Sequence, residues 1–216
     1  MILKKAIINV TMELINLLPL FSTLTKSQEI LLLLHDTKAV VRQGFYPQEI
    51  SRLQQFCRKN GLSLAISKFK VLLAAGEKEY SNKGLRIPEH DPRPGMYFVY
   101  FSKEEKKALL ASYYELIGND RDLGLLLGYP ECCVNFFVEN FSENKTDLEF
   151  PPTNLYTNLS KRGEDYVLLS HFPCSSECAA SIELAKRYLH VLEKVEVERA
   201  RQLLLQLTPG QDTTPG

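Results

Sequence analysis

The sequence predicts an α+β class: one helix-rich domain with a small, mainly antiparallel sheet and a long C-terminal helix. Three observations carry this. Apolar residues recur at helical spacing near both ends of the chain. Between those ends the period shortens, and the runs at 62–73 and 96–101 read as strands. Prolines and glycines cut the chain into short elements at Pro19, Gly44, Gly61, Gly118 and Gly128.

Residues 3–18 set Ile7, Ile8, Leu14, Ile15 and Leu18 on a helical spacing, and Pro19 ends that helix. Thr25 or Ser27 caps a second helix, which runs through Ile30–Leu34 toward Val41. Gly44 lies just past its end, where glycine is favoured. Pro47 opens a third helix over 47–60, closed by Asn60-Gly61. Residues 1–61 are thus expected to form a helical N-terminal extension.

The α+β core is expected over 62–207. Leu62, Leu64 and Ile66 alternate with polar or small residues, Val71-Leu72-Leu73 follows, and one or two strands result. Residues 76–95, rich in Gly, Pro and charge, read as a long loop. Met96–Phe101 is the strongest strand signal, aromatic and β-branched. Ser102 with Glu105 forms a capping box for a helix to Ile117. Gly118-Asn119-Asp120 breaks it, and a short helix at 121–127 ends at Gly128. Pro130 suits the first position of a helix over 130–140. Residues 142–163 read as a surface excursion and Tyr166–Leu169 as a short strand. Ser175 caps the last helix, 176–207, with Ile182, Ala185, Leu189, Leu192 and Val195 on one face. The tail 208–216 is expected to be disordered.

Lys+Arg and Asp+Glu are both 26, so there is no clustered basic footprint of the kind nucleic acid requires. Five cysteines in 216 residues are too few and odd in number for a disulfide scaffold, which predicts a reducing, cytoplasmic setting. Asn9, Glu13 and Asn16 interrupt the apolar N-terminus, so neither a signal peptide nor a membrane partner is expected.

Four of the cysteines fall in two segments that each read as the start of a helix. One is Gly128-Tyr129-Pro130-Glu131-Cys132-Cys133; the other is His171-Phe172-Pro173-Cys174-Ser175-Ser176-Glu177-Cys178. Unpaired backbone N–H groups and the helix dipole favour negative charge there, so thiolates are stabilised. Cys174, Cys178, His171 and one of Cys132 and Cys133 make a Cys3His set, a tetrahedral zinc donor set. Adjacent helical residues point ~100° apart, so one member of the doublet is expected to be spare. An iron–sulfur cluster is the alternative with four thiols, although Val134 after the doublet and the spacing differ from cysteine-rich iron–sulfur domains. A low-pKa cysteine with His171 as its base is a third reading, and inert buried thiols are a fourth. Cys57, beside Phe56 on the third helix, reads as a core residue.

Leu123-Gly124, Leu127–Val134, Phe136-Phe137 and the box His171, Pro173, Cys174, Ser175, Cys178, Ser181 resemble the paired motifs of an uncharacterised domain-of-unknown-function family of archaea and bacteria. The resemblance spans roughly residues 85–190. It supplies no reaction and implies that the first ~60 residues are a variable extension.

The remaining candidates read as structural. His35-Asp36 lacks the further histidines of a metal-dependent phosphohydrolase and suits a solvated helix face. Ile87–Gly95 reads as a surface turn and Asn119–Asp122 as helix capping. Phe136, Phe137 and Phe141 read as core, and His190 as exposed or packed. The expectations for function are therefore three. The first is a zinc-binding protein, structural with four protein ligands and hydrolytic or lyase-like with a coordination position open to water. The second is a thiol-dependent enzyme on a small electrophilic or acyl substrate that the sequence does not name. The third is a non-enzymatic module that forms a homodimer or larger oligomer through its terminal helices.

Overall fold

The computed structural model describes residues 13–73, 84–142, 145–146 and 148–209. The expected N-terminal helix lies outside the described residues up to residue 12, as do 74–83, which take in the first part of the expected loop, and 210–216 in the tail.

Helix α1 is Leu14–Phe21, and Pro19 lies inside it rather than at its end. Ser22, at φ 67°, turns the chain into α2, Leu24–Leu34. The cap is Thr23, whose side chain accepts from the Lys26 N–H. The helix stops at Leu34, and the stretch expected to carry it toward Val41 is instead strand β1, Val40–Phe45. Val40, Val41 and Phe45 are fully buried there, and β-branched side chains favour a packed pleated surface over a helix. A 3-10 turn at Pro47–Glu49 leads into α3, Ile50–Asn60. Gly61 then takes φ 64°, the left-handed conformation that glycine adopts without penalty.

Strands β2 (Ser63–Ile66) and β3 (Phe69–Leu73) follow as the alternation predicted. Residues Gly84–Pro88, expected within a loop, form β4, which pairs antiparallel with β3. Strand β5 (Tyr97–Ser102) is central to the other sheet, in the order β1-β5-β2, with Val41 opposite Phe101 and Leu64 opposite Phe101 on the other side. Every pairing is antiparallel. An isolated bridge from Val71 to Met96 links the two sheets.

Helices α4 (Glu105–Leu116), α5 (Asp120–Leu126) and α6 (Glu131–Asn140) come next. Ser102 does not cap α4 through a box with Glu105. Its hydroxyl donates to the Ala39 carbonyl and accepts from the Glu104 N–H. Asn119 caps α5 by accepting from the Asp122 N–H. The surface excursion after α6 buries Leu148, Thr157, Asn158 and Leu159. Tyr166–Leu169 is not a strand. Val167, Leu168 and Leu169 are buried in the main core, and the Val167 carbonyl is satisfied by the Gln28 side chain rather than by a ladder. The stretch 176–207 is divided at Glu196 into α7 (Ala179–Val195) and α8 (Val197–Leu207).

The class is α+β. The main core joins α1, α2, β1, α3 and β5 to α7 and α8, with Phe21 edge-on to Phe45, Phe56 and Phe101. A second cluster lies where α4 and α5 cover the opposite face of the sheet, around Tyr100, Ala108, Ala111, Leu123 and Leu127. Among the described residues no single helix is long and apolar enough to cross a membrane; α1 and α2 reach that composition only as a pair bent by 119°.

Candidate metal centre

Two helix starts build the centre. Gly128, at φ 82°, turns the chain out of α5, and Pro130 at φ −58°, ψ 136° precedes α6. Cys132 and Cys133 therefore occupy the first turn of α6. Gly124 lets α6 approach α5, because a Cβ there would lie 2.8 Å from Val134 Cγ2. The second start is α7, whose N-cap residue is Cys178 rather than the expected Ser175, with Cys174 and Ser175 in the bends ahead of it.

The four sulfurs converge, all within 4.8 Å of one another. Cys133 Sγ lies 3.5 Å from Cys178 Sγ, Cys132 Sγ lies 3.7 Å from Cys178 Sγ, and the doublet sulfurs are 3.9 Å apart. Thiolates held ~2.3 Å from one tetrahedral ion lie ~3.8 Å apart, so these separations match one ion's coordination shell. Cys133 and Cys178 are buried, Cys174 is half-buried and Cys132 is exposed. The set can hold a metal ion.

Neither cysteine of the doublet stands aside, contrary to the expectation from helical geometry. The ~100° between neighbouring side chains still lets a target lying between their directions be reached by both. His171 sits one step behind the sulfurs. Its Nε2 is 2.9 Å from Ser181 Oγ, which is 3.1 Å from Cys133 Sγ. Among the described residues the metal-capable group is the four cysteines, and His171 is not in it.

Electrostatics differ among the thiols. Burial pushes Cys133 up, against hydrogen bonds from the Ser181 hydroxyl and the Cys174 N–H, the latter at 3.3 Å. Burial and the neighbouring thiols raise Cys174 to about 11. Cys178 sits at about 7. Burial opposes its ionisation, but the Ser181 hydroxyl and amide, with Cys133 and Cys174, outweigh it. Burial, together with the charges of Lys38 and Arg162, holds His171 at about 3, so the imidazole is neutral. Tyr129 stacks on it with ring centroids 5.0 Å apart.

A cavity of about 150 Å³ reaches Cys133 and His171. A larger cleft of about 380 Å³ adjoins it, and Arg42, Glu115, Asp120 and Tyr129 line both. Arg42 grips the buried Glu115 carboxylate bidentately at 2.6 and 2.5 Å, and the Tyr100 hydroxyl donates to it at 2.7 Å. This network went unread in the sequence, where its members are 15 to 73 residues apart. Ser181 had a readable signal: it stands three residues after Cys178, the spacing of a cap and its partner.

The other candidates lie elsewhere. Cys57 is buried on α3, where burial pushes its thiol to about 12. His35 and Asp36 are exposed at the end of α2, and Asp36 pairs with Lys103. His90 is exposed in a surface turn held by the Asp91–Arg93 pair. His190 is exposed beside Glu193. Phe136, Phe137 and Phe141 are half-buried against the main core.

Residues 109–207, which contain both cysteine segments, match the model of a family described as "Protein of unknown function (DUF483)". The match covers just under half of the chain. No curated protein and no solved structure matches the chain. The cysteine centre thus lies in the stretch that is similar to a family of undescribed activity.

Proposed function

We propose that Cys132, Cys133, Cys174 and Cys178 bind one tetrahedral metal ion, zinc, which pins the start of α6 to the start of α7. The observation that carries this is the 3.5–3.9 Å spacing of the Cys132, Cys133 and Cys178 sulfurs, brought from two helix starts with Cys133 and Cys178 45 positions apart. Four thiolates suit zinc or a single iron. A multi-iron cluster spreads its thiolates over separate metal ions, so close packing around one point favours the mononuclear ion. With four protein ligands the coordination shell is closed, and the ion's contribution is folding free energy rather than activation of water. A reducing setting that keeps the thiols available belongs to the same reading.

Protein purified without added metal, both aerobically and anaerobically, should carry about one equivalent of zinc by elemental analysis. Less than about a tenth of an equivalent of any transition metal sinks the proposal. A second reading, a thiol-dependent enzyme, is favoured by the ionisation of Cys178 near neutrality. It requires one cysteine of the metal-free protein to react with iodoacetamide much faster than the others at neutral pH. Equal, slow labelling of all five would remove it.

A further inference from the structure

Ser181 and His171 lie inside the second cysteine box without being ligands, and their contacts define a direction. Ser181 is fully buried and His171 nearly so. The serine hydroxyl has one proton; Cys133 Sγ lies 3.1 Å and His171 Nε2 2.9 Å from it, and Cys178 borders the same hydroxyl. A metal-bound cysteine is a thiolate and only accepts, so that proton points at sulfur. The imidazole must then donate to the serine oxygen through Nε2–H. A neutral ring can do this in one tautomer alone, the one protonated at Nε2. Tyr129, stacked on the ring, fixes its plane. Burial of the ring, together with the Lys38 ammonium that also lies over Tyr129, disfavours a second proton on the imidazole.

We infer that His171 and Ser181 are positioning residues for the metal centre: a one-way hydrogen-bond relay, His171 to Ser181 to Cys133, that steadies Cys133 as a thiolate ligand. The inference rests on the metal reading above. The relay accounts for the histidine and serine of the box as parts of one device with its cysteines. The Cys174 N–H, at 3.3 Å, supplies the second hydrogen bond to the same sulfur. Partners of this kind orient ligands, and their loss weakens metal binding by about ten- to a hundredfold.

The test uses the full chain produced in cobalt-supplemented medium, with Ser181→Ala, His171→Phe and His171→Gln. Phenylalanine keeps a ring to stack on Tyr129 but has no N–H, whereas glutamine restores a donor. A proton held against sulfur lowers its lone-pair energy, so losing it should move the sulfur-to-cobalt charge-transfer band to longer wavelength. Ser181→Ala and His171→Phe are expected to show that shift and to release cobalt to a chelator about tenfold faster or more. His171→Gln should return toward the wild type in both. Wild-type bands and release rates in Ser181→Ala and His171→Phe would overturn the relay while leaving the metal centre standing. Should Ser181→Ala fail to fold, the two His171 variants decide by the same band. A wild-type chain that takes up neither cobalt nor zinc overturns the metal reading itself, and the relay with it.

Discussion

Cys133 meets two thiols, a serine hydroxyl and a backbone N–H. Its replacement and that of Cys178, the two buried sulfurs, should therefore abolish metal retention. Cys133→Ser and Cys178→Ser are each expected to purify with well under half an equivalent of metal, whereas Cys57→Ser should keep the wild-type amount. Elemental analysis of the three side by side checks this. His171 supplies a pH dependence. Its folded value of about 3 lies below the ordinary 6.5, because burial and the Lys38 and Arg162 charges oppose protonation. Between those values the unfolded chain binds more protons than the folded one. Stability from this residue is thus complete above pH ~6.5 and falls as the pH drops, by about 1.4 kcal/mol per unit. Urea titrations at pH 7 and 5 should show His171→Phe losing less stability on acidification than the wild type, by about 2 kcal/mol. An equal loss in both would rule the effect out.

At the scale of elements, the centre depends on how closely α6 lies against α5. Gly124 faces Val134, and a Cβ would stand 2.8 and 3.2 Å from the two valine methyls. Val134 is buried and next to Cys133, so the helix must shift or the valine must strain. Gly124→Ala is expected to cost about 1–3 kcal/mol, and Val134→Ala in the same chain should recover part of it. A thermal-melt double-mutant cycle reads the coupling, and strict additivity would show that the contact is not felt. The element scale is also where local reading of the sequence succeeds or fails. Pro47 and Gly61 punctuate α3, and Asn119 caps α5, because those residues act on their own backbone. Val40–Phe45 becomes a strand because β5 is there to pair with it. Tyr166–Leu169 fails to become one because its backbone meets side chains such as Gln28 instead.

Across the whole molecule, the N-terminal helices and the stretch that matches the family share one core. Leu14, Leu17, Phe21 and Ile30 lie in the same apolar cluster as Leu184, Leu189, Leu192 and Leu203. Polar contacts tie the same parts together. The Asp165 carboxylate accepts the Leu24 and Thr25 N–H groups at the start of α2, where the dipole favours an anion, and Arg199 donates to the Asp165 carbonyl and to Gln28. A fragment of residues 109–207 alone should therefore expose a large apolar face and melt without a cooperative transition, by calorimetry, even with zinc present. A sharp transition would show that the family stretch folds on its own. The network of the half-buried Arg42 with the buried Glu115 and Tyr100 joins β1, α4 and β5 in the same way. Glu115→Ala would leave the buried Tyr100 hydroxyl without its acceptor while Arg42 keeps access to solvent, and is expected to cost about 1–3 kcal/mol in chemical denaturation.

The class, the helices bounded by their own proline, glycine and asparagine signals, the strands at 63–73 and 97–102, and the nearness of both cysteine segments to helix starts were legible in the residues alone, whereas the cap of the second start was not. Each depends on periodicity or on a residue's effect on its neighbouring backbone. Which sulfurs meet was decided by tertiary structure, as was the placing of both cysteines of the doublet with Cys178. So was the position of His171 behind Ser181, because α6 and α7 are brought together by packing between residues 45 or more positions apart. Local spacing sets the direction in which a side chain leaves its helix; only the packed fold sets what it reaches.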